Sequence, residues 1–169
     1  MRKLICIVIS IVLLLFCAGC QDSPAVTSDT VLFYYIHNEL EYGSASGVIV
    51  PTAVDAKEYA NNYRQLLEIY FRGPTNYDCI SPFPAGIALK DFQIVSNKAQ
   101  ILLTPHMTTL SGSSLTVALA CLTRTIIEMT GAQSVQIRVE DNQINGTDSL
   151  TLTQNSFIYW DDVQSGIVH

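Results

Sequence analysis

The chain is short of positive charge and of the side-chain groupings that enzymes use. Nine Lys and Arg stand against fifteen Asp and Glu in 169 residues, a formal net charge of −6. That balance repels phosphate backbones, so nucleic acid is not an expected partner. It also leaves no polybasic strip for anionic lipid headgroups. Beyond the N-terminal segment there is no CxxC, and no Cys/His spacing of the kind that holds zinc. HExxH is absent, and so is the GxSxG nucleophile elbow: in "LSGSS", Ser113 follows Gly112 but has no glycine two residues on. The longest nearly unbroken apolar run, Leu4 to Phe16 with Ser10 inside it, has thirteen residues, short of the about twenty that span a bilayer as a helix. No internal repeat is visible.

The N-terminus carries the most specific pattern. Arg2 and Lys3 precede the apolar run, and "CAGC", Cys17 to Cys20, follows it. A basic start, a short apolar core and small residues before a cut site describe a secretory signal peptide. Ala18-Gly19-Cys20 resembles the lipobox of bacterial lipoproteins, with Cys17 where that family usually has an aliphatic residue. The resemblance implies cleavage before Cys20, a diacylglyceryl group on its sulfur, and a protein held by acyl chains on the extracytoplasmic face of the cell membrane. Each buried methylene of such a chain contributes about 0.8 kcal/mol. Loss of residues 1–19 would leave 150 residues, one ordinary domain, with a formal charge of −8 once Arg2 and Lys3 are gone.

Of five cysteines, Cys79 and Cys121 then remain. The compartment permits a disulfide between them. Cys121 sits off the main apolar stripe of its segment, which favours two unpaired thiols.

Residues 20–30 are polar and turn-prone and read as a tether. A single domain is expected over 31–153, with a tail at 154–169. "VLFYYI", Val31 to Ile36, suits a strand buried on both faces, and a second short strand is expected around Gly47 to Val50. Ala56, Tyr59, Ala60, Tyr63, Leu66, Leu67, Tyr70 and Phe71 recur at helical spacing, predicting a helix from Asp55 to Phe71. Asp55 would cap it and Gly73-Pro74 would stop it. The following stretch to Gly86, rich in proline and glycine, lacks the free N–H groups of a phosphate cradle and reads as a connector. "IALKDFQIV" and "AQILLT" predict a hairpin through Ser96-Asn97-Lys98. "SGSS" offers caps for a second helix whose stripe is Leu115, Ala118, Leu119, Leu122, Ile126 and Met129, ended by Gly131. "SVQIRVE" alternates strictly, as a half-exposed strand does, and "SLTLT" offers it a hairpin partner. The order predicts an α+β fold: two layers, with two helices on one face of a mixed three- to four-stranded sheet.

Candidates for chemistry are weak. His37, Glu39 and Glu41 form the only tight group of imidazole and carboxylates, in a segment better read as a polar turn. His106 has no acid beside it in sequence, and Asn145 in "NGT" reads as a turn. Trp160 with Asp161 and Asp162 reads as a solvated end.

The chain resembles the GerMN domain of sporulation and spore-germination lipoproteins. The matching residues are Leu66-Leu67, Gly73-Pro74, Pro84-Ala85-Gly86 with Leu89, the hairpin "FQIVSNKAQILL", the helix "VALACLTRTIIEMTGA" and the strand "SVQIRVE", in that order. The resemblance implies an α+β fold similar to ring-building domains of the sporulation secretion apparatus, a lipoprotein setting, and neither catalysis nor a cofactor. The expected role is assembly by protein–protein contact with envelope or sporulation proteins. Gln136, Arg138 and Glu140, the outward polar face of "SVQIRVE", form the candidate partner surface; should that strand lie at an edge, its backbone could also pair with a partner's sheet. The alternative is binding of cell-wall glycan or a small ligand by Tyr34, Tyr35, Tyr159 or Trp160.

Overall fold

The computed structural model describes residues 29–38, 48–59 and 62–157. The signal segment, Cys20 and the tether up to residue 28 lie outside these residues, as do Glu39, Glu41 and everything from residue 158 on; the last tether residue, Thr30, already belongs to a strand. Seven strands and two α-helices are described: β1 (Thr30–His37), β2 (Ile49–Asp55), α1 (Tyr63–Arg72), β3 (Cys79–Ile80), β4 (Leu89–Val95), β5 (Lys98–Leu103), α2 (Gly112–Thr130), β6 (Ser134–Val139) and β7 (Leu150–Leu152). The α+β class is as expected, but the strands divide into two sheets. One is antiparallel, ordered β2-β1-β3; the other is mixed, ordered β4-β5-β6-β7, with β5 and β6 parallel.

Helix α2 makes the two-sheet arrangement workable. The six residues of its expected stripe are buried, and so are Ala120, Cys121, Thr123 and Thr125 off that stripe. A helix apolar on most of its circumference can take a sheet on more than one side. It packs against β1 of one sheet and against β5 and β6 of the other.

Strand β1 pairs along its length with β2 but meets β3 only at Ile36 and His37. The open side at Tyr34 is closed by helix side chains instead. Tyr34 N–H donates to Thr125 Oγ1 at 3.0 Å, and Tyr70 Oη donates to Tyr34 C=O at 2.8 Å. Both groups point away from β2, so Pro51, directly opposite Tyr34, need not supply the N–H it lacks.

The expected helix from Asp55 begins later. Asp55 ends β2 and its carboxylate accepts from Lys57 N–H at 2.9 Å. A 3-10 turn at Lys57–Tyr59 follows, and α1 starts at Tyr63 with Asn62 as cap, its side chain accepting from Gln65 N–H at 3.1 Å. Ala56 is buried and Tyr59 packs on the core, which produced the helical spacing without a helix.

Beyond α1, Gly73 has φ 96° and ψ 173°. Gly73 does end the helix, with positive φ and extended ψ rather than in a left-handed cap, and this is a region essentially reserved for glycine. The connector then does more than connect: Cys79–Ile80 forms β3, and Phe83 packs on Tyr70 and Phe71 with ring centroids 5.3 and 5.1 Å away. The hairpin turn is two residues long, with φ 51° at Ser96 and 61° at Asn97, the positive pair of a type I′ turn. Gly131 does adopt the left-handed cap, its N–H bonding Ile127 C=O at 2.8 Å. Ser111 stands at the N-cap of α2, but its hydroxyl makes no capping bond.

Candidate interaction surface

The outer face of the four-stranded sheet is polar because its strands alternate. Val135, Ile137 and Val139 turn inward beside Ala99, Ile101 and Leu103, all buried. The residues between them face out. Gln93, Gln100, Gln136 and Thr151 form one row across the sheet. Gln93 Nε2 donates to Gln100 Oε1 at 2.9 Å, and Gln136 Nε2 donates to Ser149 Oγ at 3.3 Å. Lys90 Nζ lies 2.9 Å from Glu140 Oε2. Arg138 is exposed at the mouth of an open groove of about 660 Å³, whose wall includes Glu140, Asp141, Gln143 and Asp148. Gln143 Nε2 donates to Asp148 Oδ1 at 2.9 Å.

Gln136, Arg138 and Glu140 thus share the outer face, as their alternation requires. They are not on an edge. β6 lies between β5 and β7, so the expected docking through its backbone is closed. The pairing of β5 to β6 carries no local sequence signature, because parallel partners are joined through a helix.

The aromatic alternative loses part of its ground. Tyr34 and Tyr35 are 3% and 1% exposed. The Arg124 guanidinium sits 4.5 Å from the centroid of the Tyr34 ring, and Tyr34 Oη donates to Glu128 Oε1. Burial, then the bond to Glu128, holds the Tyr34 phenol well above its ordinary pKa, and burial does the same for Tyr35. Tyr159 and Trp160 lie outside the described residues. Among the described residues the exposed aromatic is Tyr77, at 92%, inside the segment whose sequence reads as a connector.

Cys79 and Cys121 are both buried and both free. Cys79 Sγ lies 3.7 Å from Thr52 Oγ1, and burial pushes the Cys121 thiol up to about 12. Cys121 belongs to the second buried face of α2, which the single-stripe reading missed. Leu66 and Leu67 are in the core, and Leu89 packs against it. Gly86 has φ 86° and lies against the His106 ring. Among the described residues no three His, Cys, Asp or Glu are grouped to hold a metal, and no helix is long and apolar enough to cross a membrane.

Solved GerMN-domain structures are similar in fold. The first GerMN domain of the sporulation protein GerM from Bacillus subtilis aligns at TM-score 0.53 and 12% identity, covering 72% of this chain and 92% of that one. The tandem GerMN domains of the same protein align at 0.56 and 16%, covering 81% of this chain; the chain spans 49% of that two-domain structure. A Clostridium perfringens protein described as a lipoprotein aligns at 0.46 and 18%, covering 75% and 88%. No curated protein matches the chain. The family described as "Sporulation and spore germination" matches residues 32–145, and the chain belongs to this Germane family.

Proposed function

We propose that the protein is a non-catalytic, lipid-anchored assembly protein of the cell envelope, acting in sporulation or spore germination through protein–protein contacts. The observation that carries this reading is the division of its surfaces. The apolar faces of both helices are spent in the core, while the outer sheet face presents fixed amides, a Lys90–Glu140 pair and an exposed Arg138. Ordered polar groups on a rigid sheet suit specific recognition and do not suit chemistry, which needs a nucleophile with a base to activate it. Anchoring rests on the lipobox-like Cys20.

Two experiments test the two halves. Cys20→Ala should abolish incorporation of labelled palmitate and release the chain from lipid-dependent processing; labelling at the wild-type level would overturn the anchor. Arg138→Glu should fold normally by circular dichroism yet lose its cross-linked partners in sporulating cells. Retention of every wild-type partner would overturn the outer sheet face as the recognition surface.

A further inference from the structure

Assembly needs a surface that can pair, and one strand edge in the described structure has been left open. β2 is blunted at its middle. Tyr34 spends its backbone groups on Thr125 and Tyr70, so the opposed Pro51 turns its own backbone outward and offers no donor there. β3 is two residues long, and β7 is three and runs into the turn at Gln154–Ser156. β4 has seven residues, no proline, and a bulge only near its start, at Leu89/Asp91.

The direction of its backbone groups follows from the ladder. Leu103 C=O bonds Glu140 N–H and Asn97 C=O bonds Gln133 N–H, so odd-numbered residues of the hairpin's second arm face β6 and even-numbered ones face β4. Gln93 and Val95, opposite Gln100 and Lys98, therefore bond inward, and Phe92 and Ile94 point their N–H and C=O off the sheet. Lys90 C=O also points off the sheet, and Arg64 occupies it at 3.2 Å. The open stretch is thus Phe92 to Val95. Its last two residues are 41% and 48% exposed, unusual for Ile and Val in a strand.

We infer that β4 pairs with β4 of a second copy, antiparallel, with the two-fold axis at Gln93. In this register Phe92 and Ile94 exchange main-chain bonds with Ile94 and Phe92 of the other copy, using the outward amides and carbonyls of both strands. The exposed Ile94 side chain is covered by Phe92 of the second strand. Gln93 meets Gln93, and a carboxamide both donates and accepts, so it is its own complement. Asp91, already paired with Arg64 at 3.2 Å, falls opposite Val95, so no like charges are brought face to face across the junction. The charges of β4 itself, Lys90 and Asp91, cancel, which makes this edge a place where two net-negative chains approach with little repulsion. This inference rests on the assembly reading and names one of its partners, the chain itself.

The test uses the full chain in its membrane. Opposed Gln93 residues form a non-hydrogen-bonded pair, with Cα atoms about 4.5 Å apart, inside the range of a disulfide. Gln93→Cys should give a disulfide-linked dimer under copper-phenanthroline, about tenfold above the wild-type background and above Gln100→Cys, which lies on the same face one strand in. Ile94→Pro, which removes an outward N–H and no ladder bond, should abolish the adduct. Gln93→Glu and Gln93→Lys place like charges on the axis, so tagged copies of either variant should co-purify about tenfold less with themselves. Mixed together, they should recover. No adduct above background, an adduct indifferent to Ile94→Pro, or Gln93→Cys joined only to another protein would each overturn self-pairing. If that happened while Arg138→Glu still lost its partners, the assembly reading would stand without this interface.

Discussion

At Gly86 the backbone holds φ at 86°, and an added Cβ would lie 2.8 Å from Nε2 of His106. The positive φ costs an L-residue about 1–2 kcal/mol, and the imidazole has to move as well. Gly86→Ala should therefore lower the unfolding free energy by about 2 kcal/mol in urea titration. In a His106→Ala background the same change should cost less, because the contact is gone, but it should still cost something, because φ is not. The buried Cys121 thiol gives a pH test. Its folded pKa is raised from 9.0 to about 12 by burial, so the unfolded chain ionises first. The stability this group contributes is complete below pH 9 and is lost as pH rises from 9 toward 12. Cys121→Ser should flatten the fall of stability over that window by up to about 1.4 kcal/mol per pH unit. The raised phenols of Tyr34 and Tyr35 leave a residual slope of the same sign. A profile unchanged by the substitution would show that the thiol does not ionise on unfolding.

Two threonines of α2, two residues apart, should respond oppositely to the same change. Thr125 Oγ1 accepts from Tyr34 N–H inside the core, and Thr125→Val keeps the shape while orphaning that donor. The cost should be about 1–3 kcal/mol by chemical denaturation. Thr123 Oγ1 is buried with no hydrogen-bond partner, so Thr123→Val should be neutral or stabilising. The sequence spoke clearly where an element depends on its own residues. The hairpin turn at Ser96-Asn97, the stop at Gly131 and the inward set Val135, Ile137 and Val139 are written locally. It misled where a partner decides. The segment from Asp55 carries helical spacing, yet "IVPTAVD" is drawn into pairing with β1, so the helix waits for Asn62. The outer-face positions of Gln136, Arg138 and Glu140 were legible for the same local reason, whereas the interior place of β6 was not, since strand order depends on non-local pairing. Thr125 and Tyr70 gave no sign that they would complete the edge of another element.

For the molecule as a whole, the question is how much chain the core requires. At the N-terminal side Asp29 C=O accepts from Ala56 N–H at 2.7 Å, and Val31 is 7% exposed in the core with Phe33 and Tyr35. At the other end Thr153 and Ser156 bond one another reciprocally around the turn at Gln154–Ser156, and this turn delivers Phe157 onto the core. The segment read as tail from 154 therefore has an ordered start. A chain of residues 29–157 should fold cooperatively, because both sheets, both helices and all of the described core lie within it. Ending the chain at residue 153 should remove the partial burial of Phe157 and cost about 1–2 kcal/mol, visible as a lower urea midpoint with an almost unchanged slope. Starting it at residue 34 instead removes half of β1, including Val31 and Phe33, together with the pairing of residues 30–33 to β2. β1 is the strand that both the second sheet's helix and the first sheet's neighbours lean on, so that truncation should leave no cooperative transition at all. A sharp thermal transition in the chain starting at residue 34 would mean that the four-stranded sheet and its helices fold without the three-stranded one, and that the two sheets are not a single cooperative unit.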